Sequence, residues 1–134
     1  MKPFEMHPKM LTMGGAFYPT GYAFIMFPQA EDVEQVAQKL EASGIQGDHI
    51  MHLTPEAIIR HIGGADGGSH VRLPSIGTED HTVHRYLALA REGHHALMVR
   101  APSDKETEAL MNVVHGVPFS FGQKYHMLAI EDLE

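Results

Sequence analysis

Gly21-Tyr-Ala-Phe-Ile-Met-Phe27 is closed by Pro28 and followed by Gln29-Ala-Glu-Asp-Val-Glu-Gln-Val-Ala-Gln-Lys-Leu-Glu-Ala-Ser43 and Gly44. The first piece is short, aromatic and continuously apolar, the pattern of a strand that is central in a sheet or covered on both faces. In the second, Ala30, Val33, Val36, Ala37 and Leu40 recur at helical spacing, Glu31 and Asp32 occupy the first turn, and Gly44 stands just past the end. A strand followed by an amphipathic helix requires another strand. Asp48 to Leu53 supplies it, and Thr54-Pro55 then reads as an N-cap with proline in the first helical position, opening a short helix to Ile62.

The second half repeats the order. Gly63-Gly-Ala-Asp-Gly-Gly68 stops the short helix, and the stretch to Gly77, with Pro74 and no period, reads as a loop. Thr78 is placed to cap a helix from Glu79 to Glu92 that gathers Val83, Tyr86, Leu87 and Ala90 on one side and ends at Gly93. His95 to Arg100 is a third strand. Ser103-Asp-Lys-Glu106 has the spacing of a capping box for a helix continuing through Leu110, Val113 and Val114, and Gly116 ends it. Val117 to Gly122 is expected as a connection, and the alternation from Lys124 to Ile130 as a final strand. Residues 1–20, with Pro3, Pro8, Pro19 and Gly14-Gly15, are expected as an irregular lead-in to a single α+β domain spanning 21–134. Two β-α-β units with an inserted helical pair and Gly-rich loop predict a ferredoxin-like sandwich, its antiparallel sheet carrying the two long helices on one face. The alternative is a small doubly wound α/β sheet.

The length of 134 residues suits one hydrophobic core. There are no cysteines, which removes disulfides, thiolate nucleophiles and cysteine-based zinc or iron–sulfur sites. The longest purely apolar run, Tyr22 to Phe27, is far too short to cross a bilayer, so no membrane is expected as a partner and a cytoplasmic location is. Seventeen acidic residues against ten Lys and Arg give a net charge of −7, a field that repels phosphate backbones, so no nucleic acid is expected. The 11 histidines stand out, because their titration near pH 6 removes much of that charge.

From Gly21 onward the chain resembles the heat-induced, general stress protein-like family of small bacterial domains. The resemblance rests on Gly21-Tyr-Ala-Phe-Ile-Met-Phe27 before an acidic helix and on Gly47-Asp48-His49 before the second strand. It extends to His84-Arg-Tyr-Leu-Ala-Leu-Ala-Arg-Glu-Gly93 before the third, and to Ala129-Ile-Glu-Asp-Leu133. It implies a stress-related domain and carries no active site. Members of that family place a longer, more apolar Gly- and Ala-rich segment between the halves, where this chain has the polar, histidine-bearing stretch His61 to Ile76.

Among residues with chemistry to offer, His81 and His84 lie three apart on an expected helix and are the metal candidates, with His61, His70, His94 and His95 near element ends. The plain alternative is a set of solvated histidines. The Gly63 to Gly68 segment lacks the Gly-Lys-Ser/Thr of a phosphate-binding loop, and it follows a helix, so the dinucleotide fingerprint fails too. Ser69, His70 and Asp66 are triad residue types without a nucleophile elbow. Glu31-Asp32 and Glu79-Asp80 are explained by helix dipoles. Tyr22, Phe24 and Phe27 lack the basic-aromatic companion of an RNA-recognition sheet and read as core. No catalytic residue and no cofactor is implied. The expectation is a non-enzymatic domain that acts through association, a homodimer formed by an open sheet with one uncovered face; the alternative is a histidine-mediated metal or small-ligand binding domain.

Overall fold

The computed structural model describes residues 1–12, 15–63, 78–127 and 129–134, with the side chains of 78–80 left aside. Six strands form one mixed sheet: β1 (Lys2–Pro3), β2 (Tyr22–Phe27), β3 (Ile50–Leu53), β4 (His95–Arg100), β5 (Phe121–Tyr125) and β6 (Ile130–Asp132). Their spatial order is β1-β3-β4-β2-β5-β6. Among the described residues only the two-residue β1–β3 pairing is parallel, and the other strand pairings are antiparallel. That pattern excludes the doubly wound parallel alternative. The helices are α1 (Ala30–Ala42), α2 (Pro55–Ala57, running into a π-helical turn, Ile58–Gly63), α3 (Thr78–Arg91) and α4 (Asp104–Val114).

β2 sits inside the sheet between β4 and β5, which is why its sequence has no polar alternation. Ala23, Ile25 and Phe27 point to one face, where they pack with Val33, Val36 and Leu40 of α1 and Leu110 and Val114 of α4. Phe24 and Met26 point to the other, against Val83, Tyr86 and Ala90 of α3, Ile58 and Ile62 of the π turn, and Phe4, Met10 and Phe17 of the N-terminal segment. Phe24 stacks on Tyr86 with ring centroids 4.0 Å apart. Each such side chain removed from water contributes about 1.5–3 kcal/mol. Among the described residues both faces of the sheet are therefore covered at β2 by other parts of the chain.

Helix boundaries follow local chemistry. Thr54 Oγ1 accepts from the Ala57 amide at 3.1 Å, with Pro55 in the first turn. α1 ends at Ser43 and turns through Gly44 at φ +106°, a conformation that suits glycine. The capping box at α4 is half formed. Ser103 Oγ accepts from the Glu106 amide at 3.1 Å, but the Glu106 carboxylate accepts a hydrogen bond from the Ser103 hydroxyl, at 2.7 Å, instead of from a backbone amide. Thr78, expected to cap the helix, is the first residue of α3, its side chain being among those left aside, and the expected loop at 64–77 lies outside the described residues.

Two expectations change. Residues 1–20 are mostly irregular but anchored: β1 extends the sheet edge beside β3, Tyr18 donates from its hydroxyl to the His126 carbonyl at 2.7 Å, and Phe17 is fully buried. The alternation expected as one strand from Lys124 to Ile130 is instead a hairpin, β5 starting earlier at Phe121 and β6 pairing back on it, with Tyr125 opposite Ile130. The His126 amide donates to the Ala129 carbonyl at 2.8 Å across the turn. The turn contains no Gly, Pro, Asn or Asp, so nothing in its composition announced it. Among the described residues no helix is long and apolar enough to cross a membrane.

Candidate functional site

Period two along β3 sends Ile50 and His52 to the α1 side of the sheet and Met51 and Leu53 to the other. On β4 the same alternation puts His95, Leu97 and Val99 on the α1 side. The register sets His52 opposite Leu97, so His95 is its diagonal neighbour on the same face. The two imidazoles lie nearly parallel, 24° apart with centroids 5.2 Å apart, and His52 Nε2 meets His95 Nδ1 at 3.0 Å. One of these nitrogens must donate and the other accept, so the contact exists only while at least one ring is neutral.

The surroundings favour neutrality. His52 is held below the ordinary imidazole value of 6.5 first by burial and then by the neighbouring His95, with Glu34 of α1 pulling the other way. His95 is lowered by burial, opposed by Glu56 of α2, and lowered further by His94. Neutral imidazole is the form that binds a metal or accepts a proton.

His52 also lines an edge cleft of about 420 Å³ where β1, β3 and α2 meet, together with Met1, Lys2, Pro3, Phe4, Thr54, Ala57 and His61. His61 is carried by the π-helical turn and leans on the Phe4 ring, centroids 5.5 Å apart. Gly63 closes that turn, and a Cβ there would come within 2.9 Å of Leu87 Cδ2, so the turn packs directly on α3. π-helical turns of this kind recur at functional sites because they redirect side chains that a regular helix would place elsewhere.

His94 has a different partner. Ser120 Oγ donates to the Met26 carbonyl at 3.0 Å, which leaves His94 Nδ1, 2.8 Å away, as the donor to Ser120. In this arrangement the serine proton is directed at the backbone carbonyl, and the pair ties the start of β4 to the end of β2.

The histidines singled out from sequence are therefore dispersed. His81 and His84 are exposed on α3, and among the described residues no three His, Asp or Glu side chains lie close enough to hold an ion as they stand. His61, His94 and His95 approach Phe4, Ser120 and His52 respectively, not the α3 pair. His70, Ser69 and Asp66 lie outside the described residues. Phe24 and Phe27 are fully buried on opposite faces, so they form no stacking platform. His52 was not foreseen; its only signal was a single imidazole inside the apolar strand Ile50-Met-His-Leu53. No protein-family model, curated protein or solved structure matches the chain.

Proposed function

We propose that the protein is a non-enzymatic binding domain whose working element is the His52–His95 pair, which takes up a divalent transition-metal ion and leaves the remaining coordination positions to water or a small ligand in the adjoining cleft. The carrying observation is the 3.0 Å approach of His52 Nε2 to His95 Nδ1. Two imidazoles on one tetrahedral ion, with metal–nitrogen distances near 2.0–2.1 Å, hold their nitrogens about 3.3 Å apart. A small opening of the rings thus exchanges their mutual hydrogen bond for two metal bonds. Glu34 and Glu56 bear electrostatically on the two rings, and their negative charge favours a bound cation.

Several features support a ferredoxin-like sandwich as the architecture behind this site. The inner strands run β3-β4-β2-β5, all antiparallel, and α1 and α4, which follow β2 and β4, share one face. The resemblance to heat-induced, general stress domains supports a stress-related role.

Calorimetric titration with zinc, nickel and copper tests the metal reading. Binding in the micromolar range is expected for the wild-type chain, lost in the double variant His52→Ala, His95→Ala and retained in His81→Ala, His84→Ala. Heat that follows His81 and His84, or no heat at about 1 mM metal, overturns it.

A further inference from the structure

A second cleft, of about 340 Å³, opens at the far end of β2 and β4, beneath the N-terminal segment. It is lined by His7, Lys9, Met10, Pro19, Thr20, Tyr22 and Arg100. Tyr22 and Arg100 are directly opposite each other in the β2–β4 register, so their side chains leave the same sheet face side by side. The short turn Pro8–Met10 brings Lys9 over them from the N-terminal segment. His7 Nδ1 accepts from the Lys9 amide at 3.2 Å, so a neutral His7 carries its proton on Nε2 and is a donor there.

Five side chains around one cleft thus offer N–H or O–H groups, and among the described residues no carboxylate lines it. This is unexpected in a chain with 17 acidic residues and only ten Lys and Arg. Among the described residues the Lys9 amine, the Arg100 guanidinium and the Thr20 and Tyr22 hydroxyls have no hydrogen-bond or ion-pair partner. Glu106, which lines a neighbouring cleft together with Arg100, accepts from the Ser103 hydroxyl. A guanidinium, an amine and hydroxyls facing one space match an oxyanion, which accepts several charge-assisted hydrogen bonds at once.

We propose that this cleft binds a small, multiply charged oxyanion, a phosphorylated or polycarboxylate metabolite, with Arg100 and Lys9 holding the charge and His7, Thr20 and Tyr22 orienting it. The site is independent of the histidine pair and involves none of its residues.

Amide-detected NMR titration of the full chain with inorganic pyrophosphate and, separately, with citrate tests the assignment. The two probes distinguish a phosphoryl group from clustered carboxylates. Saturable shifts at Lys9, Thr20, Tyr22 and Arg100 are expected for at least one of them, with a Kd of about 1 mM or tighter. Arg100→Gln and Lys9→Gln should each weaken that binding about tenfold or more, while Lys105→Gln, on the exposed side of α4, leaves it unchanged. All three positions are exposed, so the variants keep the fold. Absence of saturable shifts for both anions by roughly 10 mM overturns the proposal. So does equal weakening by Lys105→Gln, the mark of a general charge effect.

Discussion

The hydroxyls of Tyr86 and Tyr125 meet at 2.7 Å in the core, one from α3 and one from β5, and neither side chain reaches solvent. The contact couples the helix on one sheet face to the strand beside β2. Each ring is also packed against aromatic neighbours, Tyr86 on Phe24 and Phe121, and Tyr125 on Phe17 and Tyr18.

Because the two hydroxyls share one hydrogen bond, Tyr86→Phe and Tyr125→Phe should each lose about 1–2 kcal/mol, and the double variant less than their sum. Urea denaturation of the four proteins measures the coupling; strict additivity contradicts it. Burial, with the Tyr125 hydroxyl beside it, raises Tyr86 well above the ordinary phenol value of 10. Above pH 10 the unfolded chain releases a proton that the folded chain retains. The stability linked to this group is complete below pH 10 and is lost as pH rises beyond it, a decline that Tyr86→Phe should lessen.

The histidine pair gives the opposite sign. His52 and His95 titrate below 6.5 in the folded protein, so under that pH the unfolded chain binds protons that the folded one refuses. Their contribution is whole above pH 6.5 and disappears as pH falls through the lowered values. The urea midpoint of the wild type should therefore fall more steeply from about pH 7 to 5 than that of the double variant His52→Gln, His95→Gln. Parallel curves count against the buried neutral pair.

Lys124 is a buried amine, 1% exposed, with Thr107 Oγ1 at 2.9 Å as its single hydrogen-bond partner among the described residues. The Thr107 hydroxyl lies 3.0 Å from the Ser103 carbonyl and 3.2 Å from that of Ala101. Lys124→Met keeps the chain length and removes the donors in excess, so it should leave stability unchanged or raise it by about 1–2 kcal/mol. Thr107→Val deprives the amine of its acceptor and should lower stability by about 2–3 kcal/mol. Thermal melts of both variants decide the matter, and a large loss in Lys124→Met refutes it.

Much of the architecture was legible because burial and periodicity are local signals. Gly21 to Phe27 reads as an interior strand for the reason that it is one, and the Val33, Val36, Ala37 and Leu40 stripe is the face that α1 buries. The hairpin at 126–129 escaped notice because period two continues through it and no turn-forming residue interrupts. The site escaped for a different reason. His52 and His95 are 43 positions apart, and their encounter depends on the β3–β4 register, which no local pattern encodes. The donor-lined cleft likewise joins Lys9 to Arg100 through the docking of the N-terminal segment, whereas along the chain the basic residues look scattered.

The two strands that flank β2, β4 and β5, both come from the second half of the chain. During synthesis on the ribosome, its apolar Ala23 to Phe27 waits without a pairing partner until Arg100 has been added, and its second edge stays open until Tyr125 emerges. The sheet around β2 therefore completes only late in translation, and a product terminated before β4 leaves this apolar strand without either neighbour, the kind of exposed segment that favours aggregation.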